Sequence, residues 1–335
     1  MTQILEGEWS RLEQLRERFL APFGSRTADY WSDERLCELY DATFAQRIAW
    51  KWSAVLAELA RRGRLPRAES VLDWGCGTAI AAREYCAALG SAGAAMRQRI
   101  HLWDRSRAAR AFAAKKLHEV APQASIETEL PGPSTTIDLL LVSHVLGELD
   151  EQGRNQLLEL ARRARAVVWV EPGDSSISRS LMELRDQLAP GRSVLGPCTH
   201  SATCGLNQPG RERDWCHFFA ASAPEVFTRA DWREFSRRLK IDLRSVPYAY
   251  FALGGGAPVA AQPDTIRILG RPRLEKGHAK IDACDATGVR VLRVLERDAK
   301  AIVKGFADPA GLGRTYRITT EKDRVRTIEE SQLSE

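Results

Sequence analysis

Apolar residues recur at helical spacing from the start of the chain: Leu5, Trp9, Leu12, Leu15 and Phe19 form one stripe, and Leu36, Leu39, Tyr40, Phe44 and Ile48 a second. Residues 1–66 therefore read as a helical region, closed by the basic, helix-breaking run Arg61-Arg62-Gly63-Arg64-Leu65-Pro66-Arg67. From Ser70 the pattern changes. Val71-Leu72-Asp73, Ile100-His101-Leu102-Trp103-Asp104 and residues 126–130, 137–143 and 166–171 read as strands, with helices over 79–89, 107–120 and 151–165. Strands alternating with helices predict an α/β fold, a doubly wound parallel sheet with right-handed crossovers.

A segment rich in Gly, Pro and polar residues, about 191–222, interrupts that pattern before Tyr248-Ala249-Tyr250-Phe251-Ala252-Leu253, which reads as a late strand of the same sheet. Gly254-Gly255-Gly256-Ala257-Pro258 marks a linker. Residues 265–269, 279–283 and 289–295 are short β-like runs parted by turns such as Asp285-Ala286-Thr287-Gly288, and they predict a small barrel-like β domain. The expected organisation is a helical region over 1–66, a Rossmann-type domain over 67–256 carrying the insertion, and the β domain over 262–330.

The chain's 335 residues suffice for a sizeable core, and 44% apolar with 28% charged residues is ordinary for a globular protein. A net charge of +5 permits a polyanionic partner without requiring one, because the field depends on clustering. No apolar run reaches the roughly 18–20 residues of a membrane helix. Acidic Glu6 and Glu8 near the start are unlike a targeting peptide, so a cytoplasmic location is expected. There the seven cysteines point to metal binding or burial rather than to disulfides.

Val71-Leu72-Asp73-Trp74-Gly75-Cys76-Gly77-Thr78-Ala79 is a strand-to-loop fingerprint for a nucleoside cofactor. Gly75 and Gly77 let the backbone turn sharply and approach a ligand that a Cβ would exclude. Ala79 stands where a third glycine of a dinucleotide loop would come. Asp73 suits the α-ammonium of S-adenosylmethionine, and Asp104, ending the next strand, suits ribose hydroxyls. The competing reading has both aspartates capping the helices that follow them. His144, in Ser143-His144-Val145-Leu146-Gly147-Glu148-Leu149, is a neighbour for the cofactor adenine, a packed side chain or, with Glu148, a base. No Asn-Pro-Pro-Tyr type motif or Pro-Cys nucleophile follows that strand, so no catalytic residue is assigned. The order of parts resembles the class I S-adenosylmethionine-dependent methyltransferases over roughly residues 70–253.

Cys198, Cys204 and Cys216 lie in one aromatic, histidine-bearing segment, Pro197-Cys198-Thr199-His200 through Cys204-Gly205-Leu206 to Asp214-Trp215-Cys216-His217-Phe218. Thiolates select zinc or iron–sulfur clusters. His200 or His217 would complete a Cys₃His zinc site, whereas the distant Cys284 would complete a Cys₄ site suited to [4Fe–4S]. Cys37, Cys76 and Cys86 read as buried small hydrophobes.

Pro-Cys-x-His, Cys-x-Leu and Asp-Trp-Cys-His-Phe downstream of such a sheet, with Lys276-Gly277-His278 leading to Cys284, resemble the methyltransferase-like proteins associated with the mitochondrial small ribosomal subunit and their bacterial relatives. The resemblance implies a [4Fe–4S] cluster on Cys198, Cys204, Cys216 and Cys284, with zinc as the alternative. It also implies bound S-adenosylmethionine and binding to small-subunit ribosomal RNA during assembly, with methyl transfer an open question. Thr199 and Gly205 stand where family members often have proline. Four cysteine ligands leave no open iron for radical chemistry. On this reading the cluster pins the β domain to the sheet domain, and Arg267, Arg271, Arg273, Lys276 and His278 form a basic face whose order depends on it.

Overall fold

The computed structural model describes residues 4–21, 31, 33–91, 97–257, 262, 264–308, 310 and 315–331 of the chain. Residues 1–3, 22–30 and 32 of the predicted helical start, and Pro258 of the predicted linker, lie outside the described residues. The chain divides into two compact units. The first comprises Met1–Leu56, Pro66–Trp169 and Ala221–Val246, and the second Ala57–Leu65, Val170–Ala220 and Pro247–Glu335.

The first unit begins with helices α1 (Trp9–Leu20), α2 (Glu34–Asp41) and α3 (Phe44–Arg61), the last running on into the second unit. There follow β1 (Ser70–Trp74), α4 (Ile80–Ser91), β2 (Arg99–Trp103), α5 (Arg107–Val120), β3 (Ser125–Glu127), β4 (Leu139–Ser143), α6 (Glu151–Arg163) and β5 (Ala166–Pro172). The predicted parallel sheet is present, in the order β3-β2-β1-β4-β5. Val71 pairs with Ile100 on one side and Leu139 on the other, both in parallel register. β1 and β4 are buried along nearly their whole length because both faces are covered.

The apolar stripes of the helical start meet α8 (Ala230–Leu239), a helix of the same unit that the sequence reading does not assign. Trp9, Leu12, Leu15, Leu36, Leu39 and Phe44 pack with Trp232, Phe235 and Leu239. Leu5, the first residue of the stripe, is exposed instead.

The second unit holds α7 (Ser175–Leu188), β6 (Ser193–Gly196), β7 (Phe218–Ala220) and, apart from its first residue, β8 (Val246–Gly254). Here β6 runs antiparallel to β8, and β7 also pairs with β8. The chain then forms the predicted β domain: β9 (Thr265–Glu275), β10 (His278–Asp285), β11 (Gly288–Leu295), α9 (Lys300–Gly305), β12 (Thr315–Glu321) and β13 (Arg324–Glu330). Its strands close into a barrel in the order β10-β11-β13-β12-β9. Alternation fixes what fills it. Ile266, Ile268, Ala279, Ile281, Ala283, Leu292, Val294, Ile318 and Val325 line the interior, with α9 contributing Val303. The same parity puts His278, Lys280, Asp282 and Cys284 on the outer wall of β10.

Candidate functional site

In the first unit the strand order reverses beside β1, which has β2 on one side and β4 on the other. Ligands of open α/β sheets bind beyond the carboxyl ends of strands at such a switch point. Asp73 lies near the carboxyl end of β1, Gly75 and Gly77 follow that strand, Asp104 follows β2, and His144 follows β4, so these five expected residues gather at this end of the sheet. Gly75 has φ +69°, and a Cβ there would stand 2.4 Å from Val145 Cγ1, so this position needs glycine. Ala79 adopts φ +59° while fully buried. The loop keeps the left-handed geometry of a third glycine while carrying a methyl group.

Asp73 is fully buried. One carboxylate oxygen accepts from the Ala82 backbone N–H at 3.1 Å in the first turn of α4, the capping contact, while Oδ1 has no partner among the described residues. Burial pushes its pKa up to about 7, opposed by the Ala82 hydrogen bond and reinforced by the charge of Asp104. Asp104 accepts from Gly77 N at 3.1 Å and from Ser106 N at 2.9 Å, so it braces the glycine loop as well as the start of α5. Trp74 Nε1 and Thr78 Oγ1 are also buried without partners among the described residues. Three orphaned polar atoms in and beside one glycine loop are what a polar ligand would satisfy.

His144 has φ +57°, and its Nε2 lies 3.3 Å from the Lys51 ammonium. Burial, then the charges of Lys51 and Arg47, push its pKa well below the ordinary range. The ring is neutral, and because the ammonium can only donate, Nε2 accepts and the proton sits on Nδ1. Beside it, Trp52 Nε1 donates to Ser143 Oγ at 2.9 Å.

All four expected metal ligands belong to the second unit. Cys204, Cys216 and Cys284 are buried and Cys198 is partly exposed. Burial, and then the neighbouring thiols, raise the pKa values of the three buried cysteines. Cys216 is pushed well up by Cys198, Cys204 and Cys284, Cys284 likewise by Cys198 and Cys204, and Cys204 to about 11 with Cys198 contributing. The turn after Cys204 packs on Gly288 and Val289, and Val289 is the cross-strand partner of Cys284. Among the described residues, no three or more His, Cys, Asp and Glu side chains form a group that could hold a metal ion. His200 is buried with Nε2 4.0 Å from Cys284 Sγ and Nδ1 unpartnered among the described residues. His217 is committed elsewhere: its Nδ1 lies 3.1 Å from Trp215 O and its ring stacks on Trp215.

Helix α7, absent from the sequence reading, is the scaffold of this segment. Arg185, almost wholly buried, donates to the carbonyls of Ala202 at 2.6 Å and His200 at 2.9 Å. Asp186 accepts from Cys204 N and from Asn207 Nδ2, each with a contact at or below about 3 Å, fixing the turn at Cys204. Arg179 donates to the carbonyls of Leu206, Arg211 and Asp214, and Ser178 Oγ donates to the carbonyl of Cys216. Burial lowers the pKa of Arg185, but the Cys198 thiol and Asp186 outweigh it and raise it on balance, so a fixed cation stands beside the thiols. The available signal was the helical spacing of Ile177, Leu181, Leu184 and Leu188, with Ser178 and Arg185 one heptad apart.

Cys284 occupies the outer wall of the barrel, opposite Arg267 on β9 and Val289 on β11. Arg267 departs from the expected basic face. It is buried, pairs through both terminal nitrogens with Glu58, and lies 4.2 Å over the Phe218 ring. Glu58 also pairs with Arg62 at 2.6 Å. The turn at Gly205 packs so closely on the barrel that a Cβ there would stand 2.8 Å from Gly288 Cα. Gly270, at φ +58° within β9, makes a comparable approach to the His217 ring.

A family model described as mitochondrial small ribosomal subunit Rsm22 matches residues 40–302, well over half of the chain. The chain belongs to this family. Among curated proteins no sequence matches it. Similar solved structures include magnesium protoporphyrin IX methyltransferase from Synechocystis, at 12% identity and TM-score 0.37, covering 75% of this chain and 95% of that one. The plantazolicin methyltransferase BamL is similar at 11% identity and TM-score 0.40, covering 75% and 97%. Precorrin-6y C5,15-methyltransferase from Geobacter metallireducens is similar at 12% identity and TM-score 0.35, covering 59% and 86%. No helix among the described residues is long and apolar enough to cross a membrane.

Proposed function

We propose, with family membership as the premise, that the chain is an S-adenosylmethionine-binding, [4Fe–4S]-containing methyltransferase-like protein that binds small-subunit ribosomal RNA and assists ribosome assembly. The observation that supports this reading is that Cys198, Cys204, Cys216 and Cys284 belong to one unit, three of them buried, with the turn after Cys204 packed on Val289, the cross-strand partner of Cys284. Soft sulfur donors and the adjacent Arg185 guanidinium suit an anionic iron–sulfur core, which would be held by those four thiolates. Such a core supplies structural cross-linking here. The chain's own residues do the rest: α7 fixes the Cys204 and Cys216 backbones, and Arg185 offsets the negative charge. Metal loading must expel protons from thiols whose pKa values are raised, so it will be strongly pH-dependent.

S-adenosylmethionine is assigned to the glycine loop. Gly75 and Gly77 allow close backbone approach, and the orphaned oxygen of Asp73 is the acceptor for the ligand's ammonium. Asp104 serves the ribose, and His144 stands at the acceptor end. The family's namesake belongs to the mitochondrial small subunit, and we assign this chain to whichever compartment assembles its own small ribosomal subunits. Anaerobic purification tests the cluster: about four irons and four acid-labile sulfides per chain support it, and stoichiometric zinc without sulfide overturns it. The zinc reading has His200 as fourth ligand beside Cys198, Cys204 and Cys216, through its Nδ1, unpartnered among the described residues. A second reading makes the chain an active rRNA methyltransferase. It is favoured by the neutral His144 imidazole at the end of β4, whose Nδ1–H would orient a methyl acceptor. Transfer of labelled methyl groups to precursor small subunits tests it.

A further inference from the structure

The barrel has a topology that the functional reading has not used. Numbered from its own first strand, its order is 1-2-3-5-4, closing back on the first. The third and fifth strands, β11 and β13, pair in parallel while the other pairs are antiparallel, and helix α9 lies between the third and fourth strands. This is the oligonucleotide/oligosaccharide-binding (OB) fold, in which ligands lie across strands 2 and 3 and between the loops joining strands 1–2 and 4–5. Fold alone assigns no ligand. The outer wall does.

Cross-strand register sets four cations in one row: Arg273 on β9 pairs with Lys280 on β10, Lys280 with Arg293 on β11, and Arg293 with Arg324 on β13. At ordinary strand spacing the row runs about 14 Å across the wall. Both relevant loops lie at this end. Gly277 O accepts from Glu296 N at 2.9 Å, and Asp323 O accepts from Arg293 N at 2.8 Å, so each loop is tied to the last turns of β11. The loops carry Lys276 and Lys322, both exposed and neither in a salt bridge among the described residues. Val291 and Leu274, two of the large apolar side chains left exposed, lie on β11 and β9. The other end of the wall, at Cys284, is covered by the cysteine segment through Gly205.

The four row cations have acid partners: Arg273 with Asp282, Lys280 with Glu275, Arg293 with Asp323 and Arg324 with Asp298. All four pairs are at least partly solvent-exposed, and exposed pairs contribute little. A phosphate therefore displaces a carboxylate at little cost, while the acids keep the empty surface near neutrality.

We propose that this row, with Lys276 and Lys322, is a single-stranded RNA-binding surface that grips successive phosphates. The proposal rests on the RNA-associated reading above and deepens it by naming the surface and the form of RNA. The wall offers no exposed Trp, Tyr or Phe among the described residues, so the grip is electrostatic and tolerant of sequence.

The test uses the full chain, a labelled oligouridylate of about 12 nucleotides, a duplex of the same length, and isolated small-subunit rRNA. The variant Lys280→Gln/Arg293→Gln is compared with Arg317→Gln/Arg326→Gln, which removes two exposed cations from other strand positions. Expected are preference for the oligouridylate over the duplex, binding weakened about tenfold by the first variant, and a salt-dependence slope smaller by about 1.4. The second variant should bind like the native chain. Single Arg293→Gln provides the same readout if the double variant fails to fold. Equal weakening by both double variants, or none by the first, overturns the row. Native binding to rRNA but not to oligouridylate overturns the row and spares the RNA reading. Binding to neither overturns both.

Discussion

The glycine loop and the cysteine segment, one in each unit, are built by opposite means. The loop is contiguous: Asp73 to Ala79 supply its turn, its left-handed residues and its buried oxygens within seven positions of sequence. The cysteine group draws on residues from Ser178 to Cys284, with Arg267 braced by Glu58 still earlier in the chain. A contiguous site shapes its backbone and leaves polar atoms for a ligand. A dispersed site must first hold its own parts together, and it does so with buried guanidinium groups aimed at carbonyls. Damage to the first should cost ligand affinity, and damage to the second should cost the fold around it.

The sharpest break of that comparison is Cys216→Ser. It should abolish iron incorporation, measured by iron and sulfide content, and markedly lower the thermal midpoint of the second unit. Retention of full iron content would remove Cys216 from the ligand set. Next is Glu58→Gln, which leaves Arg267 buried without its anionic partner and should cost about 3–5 kcal/mol in denaturant unfolding. The triple replacement Glu58→Met/Arg62→Met/Arg267→Met should recover much of that loss, because it removes the coupled buried charges together.

At the other site, Asp73→Asn should weaken S-adenosylmethionine binding about tenfold by calorimetry. It should also change the pH dependence of the empty protein in a defined direction. The folded pKa of Asp73, about 7, lies above its unfolded value near 3.8. The folded state therefore binds more protons in that window, and this carboxyl makes stability fall as pH rises from about 4 to 7. Asp73→Asn should flatten that fall, and an unchanged slope would show that the carboxyl is not the group responsible. The smallest effect belongs to Ala79→Gly, which relieves a left-handed alanine and should stabilise the empty protein by about 1 kcal/mol or less. Gly75→Ala, by contrast, should destabilise it, since Val145 blocks the added methyl.

The parallel sheet, its strand ends and the glycine loop were legible because each is a local pattern: continuous apolar runs, helical spacing between them, and glycines where φ turns positive. The four cysteines were legible as ligand types, and the barrel as a run of short alternating strands. Helices α7 and α8 were missed because their polar faces resemble loop. In α7 those polar residues are buried against carbonyls, a use that no propensity distinguishes from exposure. Arg267 shows the same limit. Its neighbours in sequence are surface cations, but strand parity turns it onto Glu58 and Phe218.

By itself, then, the sequence determined which segments become strands and helices, which loop turns tightly enough for a nucleoside, and which side chains have metal-binding chemistry. Tertiary structure alone decided that the turn after Cys204 packs on Val289, the cross-strand partner of Cys284, that Arg185 reaches the carbonyls of His200 and Ala202, and that four cations from separate strands align on one barrel wall. The reason is range. Backbone preference and periodicity act over a few residues, whereas register between strands tens of residues apart is set only when the whole core packs.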